Sequence, residues 1–192
     1  MRMADSPGGN TDSNWRALVV PAQQGDRDAR ASLYELFATT VHAIALAHVG
    51  VDHADDVTQD VFCTVFASLP RLREPDAFAG FLCTAARNAA RDHLRRKRRA
   101  PVAVPADDLV DPDRSPDAKL ADEETGACVL SAMQELPETY RETLLLRLVS
   151  GLSGVEIAER TGMTHGSVRV NLTRGMSLLR ERLAGRLPEV TP

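Results

Sequence analysis

Between Ala100 and Gly126 the chain carries four prolines (Pro101, Pro105, Pro112, Pro116) and eight acidic residues, against the two basic residues Arg114 and Lys119. No other stretch limits the fold as much. Its prolines remove backbone donors and interrupt helices. Its apolar surface is too small to offset the entropy of ordering it. It reads as a linker, with a short helix starting near Ala118. Just before it stands a dense basic cluster (Arg91, Arg95, Arg96, Lys97, Arg98, Arg99), although the whole chain of 192 residues has a formal charge of -4. Charge sorted so sharply marks a domain boundary. The expected organisation is a tail at 1–14, a first domain at 15–99, the linker at 100–126, a second domain at 127–187 and a tail at 188–192. A hydrophobic content of 43% suffices for a packed core.

On both sides of the linker the apolar residues follow a helical period, and alternating strand patterns are nearly absent. Leu33, Leu36, Phe37, Val41, Ile44 and Ala45 mark one amphipathic helix that Gly50 ends. Asp52 then offers a cap, and Val57, Val61, Val65 and Leu69 stripe the next helix as far as Pro70. Asp76 offers a cap for a helix over Ala77–Arg98, with Phe78, Leu82, Ala85, Ala86 and Ala89 on its apolar side. Arg87, Arg91, Arg95 and Arg98 line another of its faces, and Asp92 is placed to pair with Arg96. After the linker, Val129, Met133 and Leu136 belong to a helix that Pro137 interrupts. A second helix starts at Pro137 and runs to Gly151. The expected fold is all-α, two small helical domains joined by a flexible linker.

Several classes of function are disfavoured. No run approaches the ~18 apolar residues of a membrane span, and the polar N-terminus has no apolar signal core, so no membrane insertion and a cytoplasmic location are expected. Cys63, Cys83 and Cys128 form no CxxC pair and read as buried structural thiols rather than disulfide, redox or metal groups. His42, His48, His53, His93 and His165 show no ligand spacing. No metal, cofactor or catalytic residue is expected. An all-helical hydrolase would need a cage of acids or histidines. Asp55, Asp56 and Asp60, on one face of one helix, make a poor one.

The segment "SGVEIAERTGMTHGSVRVNLTRGMSLLRERL" has the spacing of a helix-turn-helix. Ala158 is small where two helices cross, and Gly162 supplies the permissive backbone of the turn. Ile157 and Met163 flank the turn inside, and Thr164 caps the second helix. Val168, Leu172, Met176, Leu179 and Leu183 form that helix's apolar stripe. His165, Ser167, Arg169, Asn171, Thr173 and Arg174 give it donors and acceptors suited to base edges and phosphates. Two basic helices in separate domains of an acidic chain suggest two DNA elements read at a distance.

Three segments, in this order, resemble extracytoplasmic-function (group IV) sigma factors of bacterial RNA polymerase: "DDVTQDVFCTVF", "FAGFLCTAARNAARDHLRRKRR" and "LPETYRETLLLRLVSGLSGVEIAERTGMTHGSVRVNLTRGMSLLRERL". They are similar to sigma regions 2.2, 2.3–2.4 and 4. The resemblance implies that Asp56, Gln59 and Asp60 dock on the clamp helices of the largest polymerase subunit, and that the flap is a further contact. It implies that Leu72 to Phe81, including Leu72, Arg73, Phe78 and Phe81, captures a flipped base of the -10 element. Asn88, Arg91 and Arg95 would follow the -10 DNA. The helix from Thr164 would read the -35 major groove through Thr164, His165, Ser167, Arg169, Val170, Thr173 and Arg174. An anti-sigma factor is the implied regulatory partner. Two departures matter: the Trp-Leu pair common before region 2.4 is Phe81-Leu82, and the usual Val-Lys-Ser-Arg of the reader is Val168-Arg169-Val170-Asn171. The competing reading is a free-standing helix-turn-helix regulator that never joins polymerase.

Overall fold

The computed structural model describes residues 15–99, 117–184 and 186, with backbone alone for 117–124. The expected tails at 1–14 and 188–192, and linker residues 100–116, lie outside the described residues. Among the described residues there are eight α-helices and no strand. They are α1 (Trp15–Gln23), α2 (Arg27–Val49), α3 (Val51–Ser68), α4 (Phe78–Arg99), α5 (Asp117–Gln134), α6 (Glu138–Leu148), α7 (Gly154–Thr161) and α8 (His165–Leu183). Short 3-10 turns at Leu69–Arg71 and Pro75–Ala77 lie between α3 and α4.

The long helix α2 organises the molecule. Asp26 starts it by accepting hydrogen bonds from the Asp28 and Ala29 amides. Along its first half only one stripe is buried. From Ala43 to Ala47 every side chain is buried, so this end is apolar all round and needs neighbours on every side. The neighbours are α1, α3, α4 and, from beyond the linker, α6. Gly50, at φ 79°, then turns the chain directly into α3 while its N–H closes on the Leu46 carbonyl. A one-residue connection leaves no place for a separate cap. Asp52 therefore sits inside the first turn of α3, not at its cap.

An aromatic cluster pins α1 and α4 to α2. Phe37 meets the Trp15 ring edge-on at 5.7 Å and the Phe78 ring edge-on at 5.5 Å, pairs worth about 0.5–1.5 kcal/mol each beyond their area. α1, with Pro21 near its end, is absent from the sequence reading. It orders the turn before α4: Gln23 donates to the carbonyls of Leu69 and Leu72, and Arg16 pairs with Asp76 at 3.3 Å. Asp76 is thus held in the 3-10 turn by Arg16 and caps nothing. On α4, Asp92 takes Arg95 at 3.3 Å instead of the expected Arg96.

Beyond the linker, α5 begins at Asp117, close to the expected Ala118. α7 is fixed at both ends: Ser153 and Glu156 form a capping box, and Gly162 closes it in the left-handed conformation at φ 76°. Thr164 caps α8 by accepting from the Ser167 amide. The expected stripe is inside, with Val168 and Leu179 buried and Leu172, Met176 and Leu183 packed against the core. Gly175 allows the close crossing of α6 and α8, because a Cβ there would meet Leu144 at 3.1 Å and Tyr140 at 3.2 Å. The cysteines differ from expectation. Cys83 is buried, Cys128 is half-buried and Cys63 is exposed. Burial, reinforced by Glu142, pushes the Cys83 thiol up to about 12, against the opposing pull of Arg87 and Arg160.

Candidate nucleic-acid interface

The residues expected at the -10 element differ in exposure. Arg73, Asn88 and Arg95 are exposed, while Leu72 and Phe81 are half-buried. Phe78 is wholly inside the aromatic cluster and presents no surface to a base. Of the two candidate aromatics, Phe81 alone reaches the surface. It lines a groove between α3 and α4 together with Asn88, Asp92 and Arg96. Arg91 is half-exposed but engaged: its guanidinium donates to Glu138 at 2.8 Å.

Arg87, on the same face, is engaged more tightly. It donates three times to the two carboxylate oxygens of Glu142, at 2.7–3.1 Å. His48 of α2 approaches the same carboxylate at 3.3 Å and Glu138 at 3.7 Å. Burial alone would raise the Glu142 carboxyl, but the hydrogen bonds from His48 and Arg87 outweigh it and hold the group below its ordinary 4.5. Glu138 is lowered chiefly by its hydrogen bond from Arg91. For Arg87, burial works against the charge, and Glu142 more than restores it.

Further contacts join the two halves of the chain around this cluster. Arg141 donates to the Ala47 carbonyl at 2.6 Å and Gln134 to the Leu46 carbonyl at 2.9 Å. These satisfy carbonyls at the C-terminal end of α2 that have no intrahelical partner or share one. Arg160 donates to Thr40 and to the Leu36 carbonyl while its guanidinium lies 4.8 Å above the Phe37 ring. Glu138, Glu142, Gln134, Arg141 and Arg160 were not singled out in the sequence. Glu138 and Glu142 stand four residues apart, as do Arg87 and Arg91. That matching spacing was the available signal, but only the packing of α2 on α6 brings the pairs together.

The residues expected at the -35 element lie together on α8. Thr164, His165, Ser167, Arg169, Val170, Thr173 and Arg174 are all exposed. Asn171 is the exception among the polar residues of that helix. It is 8% exposed and donates to the Thr143 hydroxyl at 3.3 Å, so it ties α8 to α6 and is not offered to solvent.

Asp56, Gln59 and Asp60 project from α3 into a groove completed by His53 and by His93, Arg96 and Lys97 of α4. The His53 and His93 rings lie 4.6 Å apart, and Lys97 donates to the His53 ring at 3.0 Å. Burial first, then the nearby His53, Arg96 and Lys97, lowers the pKa of His93, with Asp56 opposing. The acidic face thus has a basic border on α4. Among the described residues no group of three or more His, Cys, Asp or Glu could hold a metal ion, and no helix is long and apolar enough to cross a membrane.

Comparison with known proteins agrees with this layout. The sigma-70 region 2 family matches residues 33–100, and the sigma-70 region 4 family matches residues 126–179. The ECF RNA polymerase sigma factor SigE of Mycolicibacterium smegmatis is 34% identical over 91% of this chain and 73% of its own length. The ECF RNA polymerase sigma factor SigD of Mycobacterium bovis is 32% identical over 87% of this chain and 82% of its own. A probable RNA polymerase sigma factor, RfaY of Xanthomonas campestris pv. campestris, is 32% identical over 86% of this chain, which spans only 43% of that protein's length. In fold, the chain is similar to CnrH as solved in complex with the cytosolic domain of CnrY, with a TM-score of 0.62 and 23% identity over 88% of this chain and 97% of that one. Taken with the two helical units and their order, these matches place the chain in the ECF RNA polymerase sigma factors of the sigma-70 family.

Proposed function

We propose that this protein is an alternative sigma factor that joins core RNA polymerase, recognises a -10 and a -35 promoter element and directs transcription initiation. The observation that carries this reading is the arrangement of three surfaces on one helical body. These are the acidic face of α3, the arginine face of α4 and the exposed N-terminal half of α8. A free-standing regulator would need only the last of them, and the match to region 2 leaves that alternative without a use for the first two.

In this reading Asp56, Gln59 and Asp60 meet basic groups of the polymerase clamp helices. The flap meets the second half of the chain, where Leu148, Val149 and Val155 are exposed apolar side chains. Phe81, Leu72, Arg73, Asn88, Arg91 and Arg95 serve the -10 element, with Phe78 as their structural support. The exposed residues of α8 serve the -35 groove. The chemistry of initiation belongs to polymerase, and this chain supplies docking and recognition, not catalysis. An anti-sigma factor is proposed as a further partner. A fold relative, RpoE of Bartonella quintana, was solved with the anti-sigma factor NepR.

The test is docking. Replacing Asp56 and Asp60 with Arg puts like charges at a steered interface. The doubly substituted chain is expected to keep its helical circular dichroism and to lose co-purification with core polymerase. Undiminished recovery of polymerase would move the docking face elsewhere. Promoter binding that is tight and specific without core polymerase would favour the free-standing regulator.

A further inference from the structure

We propose that the groove between α3 and α4 is a proton-sensitive docking surface, in which the imidazoles of His53 and His93 must be neutral for Asp56 and Asp60 to be fully available to polymerase. The inference rests on the reading of Asp56, Gln59 and Asp60 as the polymerase-docking face. Its basis is what surrounds those acids. They share one groove with His53 of α3 and with His93, Arg96 and Lys97 of α4. The rings of His53 and His93 lie 4.6 Å apart. With both imidazoles neutral, Arg96 and Lys97 balance the carboxylates of Asp56 and Asp60. Protonated imidazoles tip the groove to an excess of positive charge, beside the very acids that are to receive a basic partner.

The contacts favour neutral rings. Nζ of Lys97 lies 3.0 Å from Nε2 of His53. An ammonium has protons to donate and no lone pair to accept with. Nε2 is therefore the acceptor, and the ring proton of His53 is on Nδ1. A proton added at Nε2 would set two donors against each other and displace Lys97. A charged His93 would lie against the His53 ring and share one turn of α4 with Arg96 and Lys97. Asp56 is the group that would favour its charge, and that pairing would take the carboxylate away from a partner. Burial, then His53, Arg96 and Lys97, outweigh Asp56 and hold His93 below its ordinary 6.5. Its change of charge therefore falls in mild acid. The neighbouring acids are placed elsewhere: Asp55 pairs with His42 of α2 at 3.2 Å, Asp92 pairs with Arg95 at 3.3 Å, and Asp52 is exposed in the first turn of α3. A basic partner in the groove opposes the imidazole proton twice, by its own charge and by excluding water. By reciprocity the proton opposes the partner.

The experiment measures the Kd of the full chain, labelled at its N-terminus, for core polymerase by fluorescence anisotropy. Readings at about pH 7.5 and about pH 5.5 bracket the ordinary histidine value. Wild type is compared with His53→Gln/His93→Gln, whose amides stay uncharged and can still accept from Lys97. Circular dichroism at both pH values checks that each chain is folded. Wild type is expected to bind about three- to fivefold more weakly at the lower pH, the effect of one proton released on docking. In the double variant the ratio of the two constants is expected to fall to about one, whatever its absolute affinity. His93→Gln alone is expected to remove most of the change, which keeps the test standing if the double variant does not fold. An equal loss of affinity in wild type and in a folded variant would overturn the proposal, because the sensitive groups would then lie outside the groove or on polymerase. So would a wild-type Kd that is the same at both pH values. If wild type binds core polymerase at the higher pH but either of these results is found, the groove proposal fails and the sigma-factor reading stands. If wild type does not bind core polymerase at the higher pH, the reading itself fails.

Discussion

Arg169 and Val170 are neighbours near the N-terminal end of α8, and both side chains are exposed. The buried residues on either side, Val168 and Asn171, fix the rotation of the helix, so the outward direction of this pair is set by packing. A helix docked in the major groove with its N-terminal residues inward puts Arg169 over base edges, where Arg favours guanine O6 and N7. Arg174, further along, is placed for phosphate. Arg169→Ala is expected to cost about 1–3 kcal/mol at one base position and to relax preference there. Arg174→Ala is expected to weaken all promoters alike and to flatten the salt dependence. Transcription of a randomised -35 library by holoenzyme carrying each variant measures both. Identical profiles for wild type and Arg169→Ala would rotate the reading face toward Val170 and Thr173.

At the scale of elements, the crossing of α6 and α8 sets how the reader is presented. Gly175 makes that crossing possible, with Leu144 and Tyr140 filling the space where a side chain would go. Glycine inside a helix costs about 1 kcal/mol relative to Ala. Its presence here therefore reflects a helix–helix distance and not a local preference. Gly175→Val is expected to overpack the contact and destabilise the fold by about 1–3 kcal/mol, seen as a lower thermal midpoint. A midpoint equal to wild type would mean that α8 can back away from α6 without loss. The same contrast explains what sequence could tell. Stripes such as Val57, Val61, Val65 and Leu69 repeat at helical spacing and are buried as read. Local turn chemistry was legible at Gly50, Gly162 and Thr164, where one residue decides the backbone or its cap. Asp52 was misread because the one-residue connection at Gly50 puts it inside the first turn of α3, and Asp76 and Asn171 because a cap or an exposed donor looks the same in sequence as a polar residue held by a distant partner. For Asp76 that partner is Arg16 and for Asn171 it is Thr143. The end of α2 was read as part of one amphipathic stripe, but the run from Ala43 to Ala47 is buried on every face and takes a second covering layer. Sequence could not say that α6 would supply it, nor that Glu138 and Glu142 would arrive with it.

Across the whole molecule, closure concentrates charge where water is scarce. Removing one member of a buried ion pair typically costs about 3–5 kcal/mol, since its partner is left uncompensated. Glu142, with His48 and Arg87 against it, is the member for which this applies. The exposed pairs of Glu135 with Arg182 and Arg186 are not comparable. The direction of the pH effect follows from the carboxyls. Glu142 and Glu138 both titrate below their ordinary 4.5 in the folded chain. A carboxyl lowered by folding stabilises the folded state above its unfolded value, and that stability is lost as pH falls through the lowered one. Stability at neutral pH is therefore retained down to about 4.5 and declines below it. The closed arrangement is expected to loosen over the same acid range, because the pairs that join α4 to α6 are the ones being protonated. Thermal midpoints measured downward from neutral pH are expected to fall less steeply below about 4.5 in Glu138→Gln/Glu142→Gln than in wild type. The remaining slope in that variant reports Glu135 and other carboxylates outside this contact. Parallel curves for the two chains would mean that these carboxylates keep their protonation on folding, and that the contact between the halves rests on the apolar packing of α6 on α2 and the guanidinium-to-carbonyl bonds of Arg141 and Arg160.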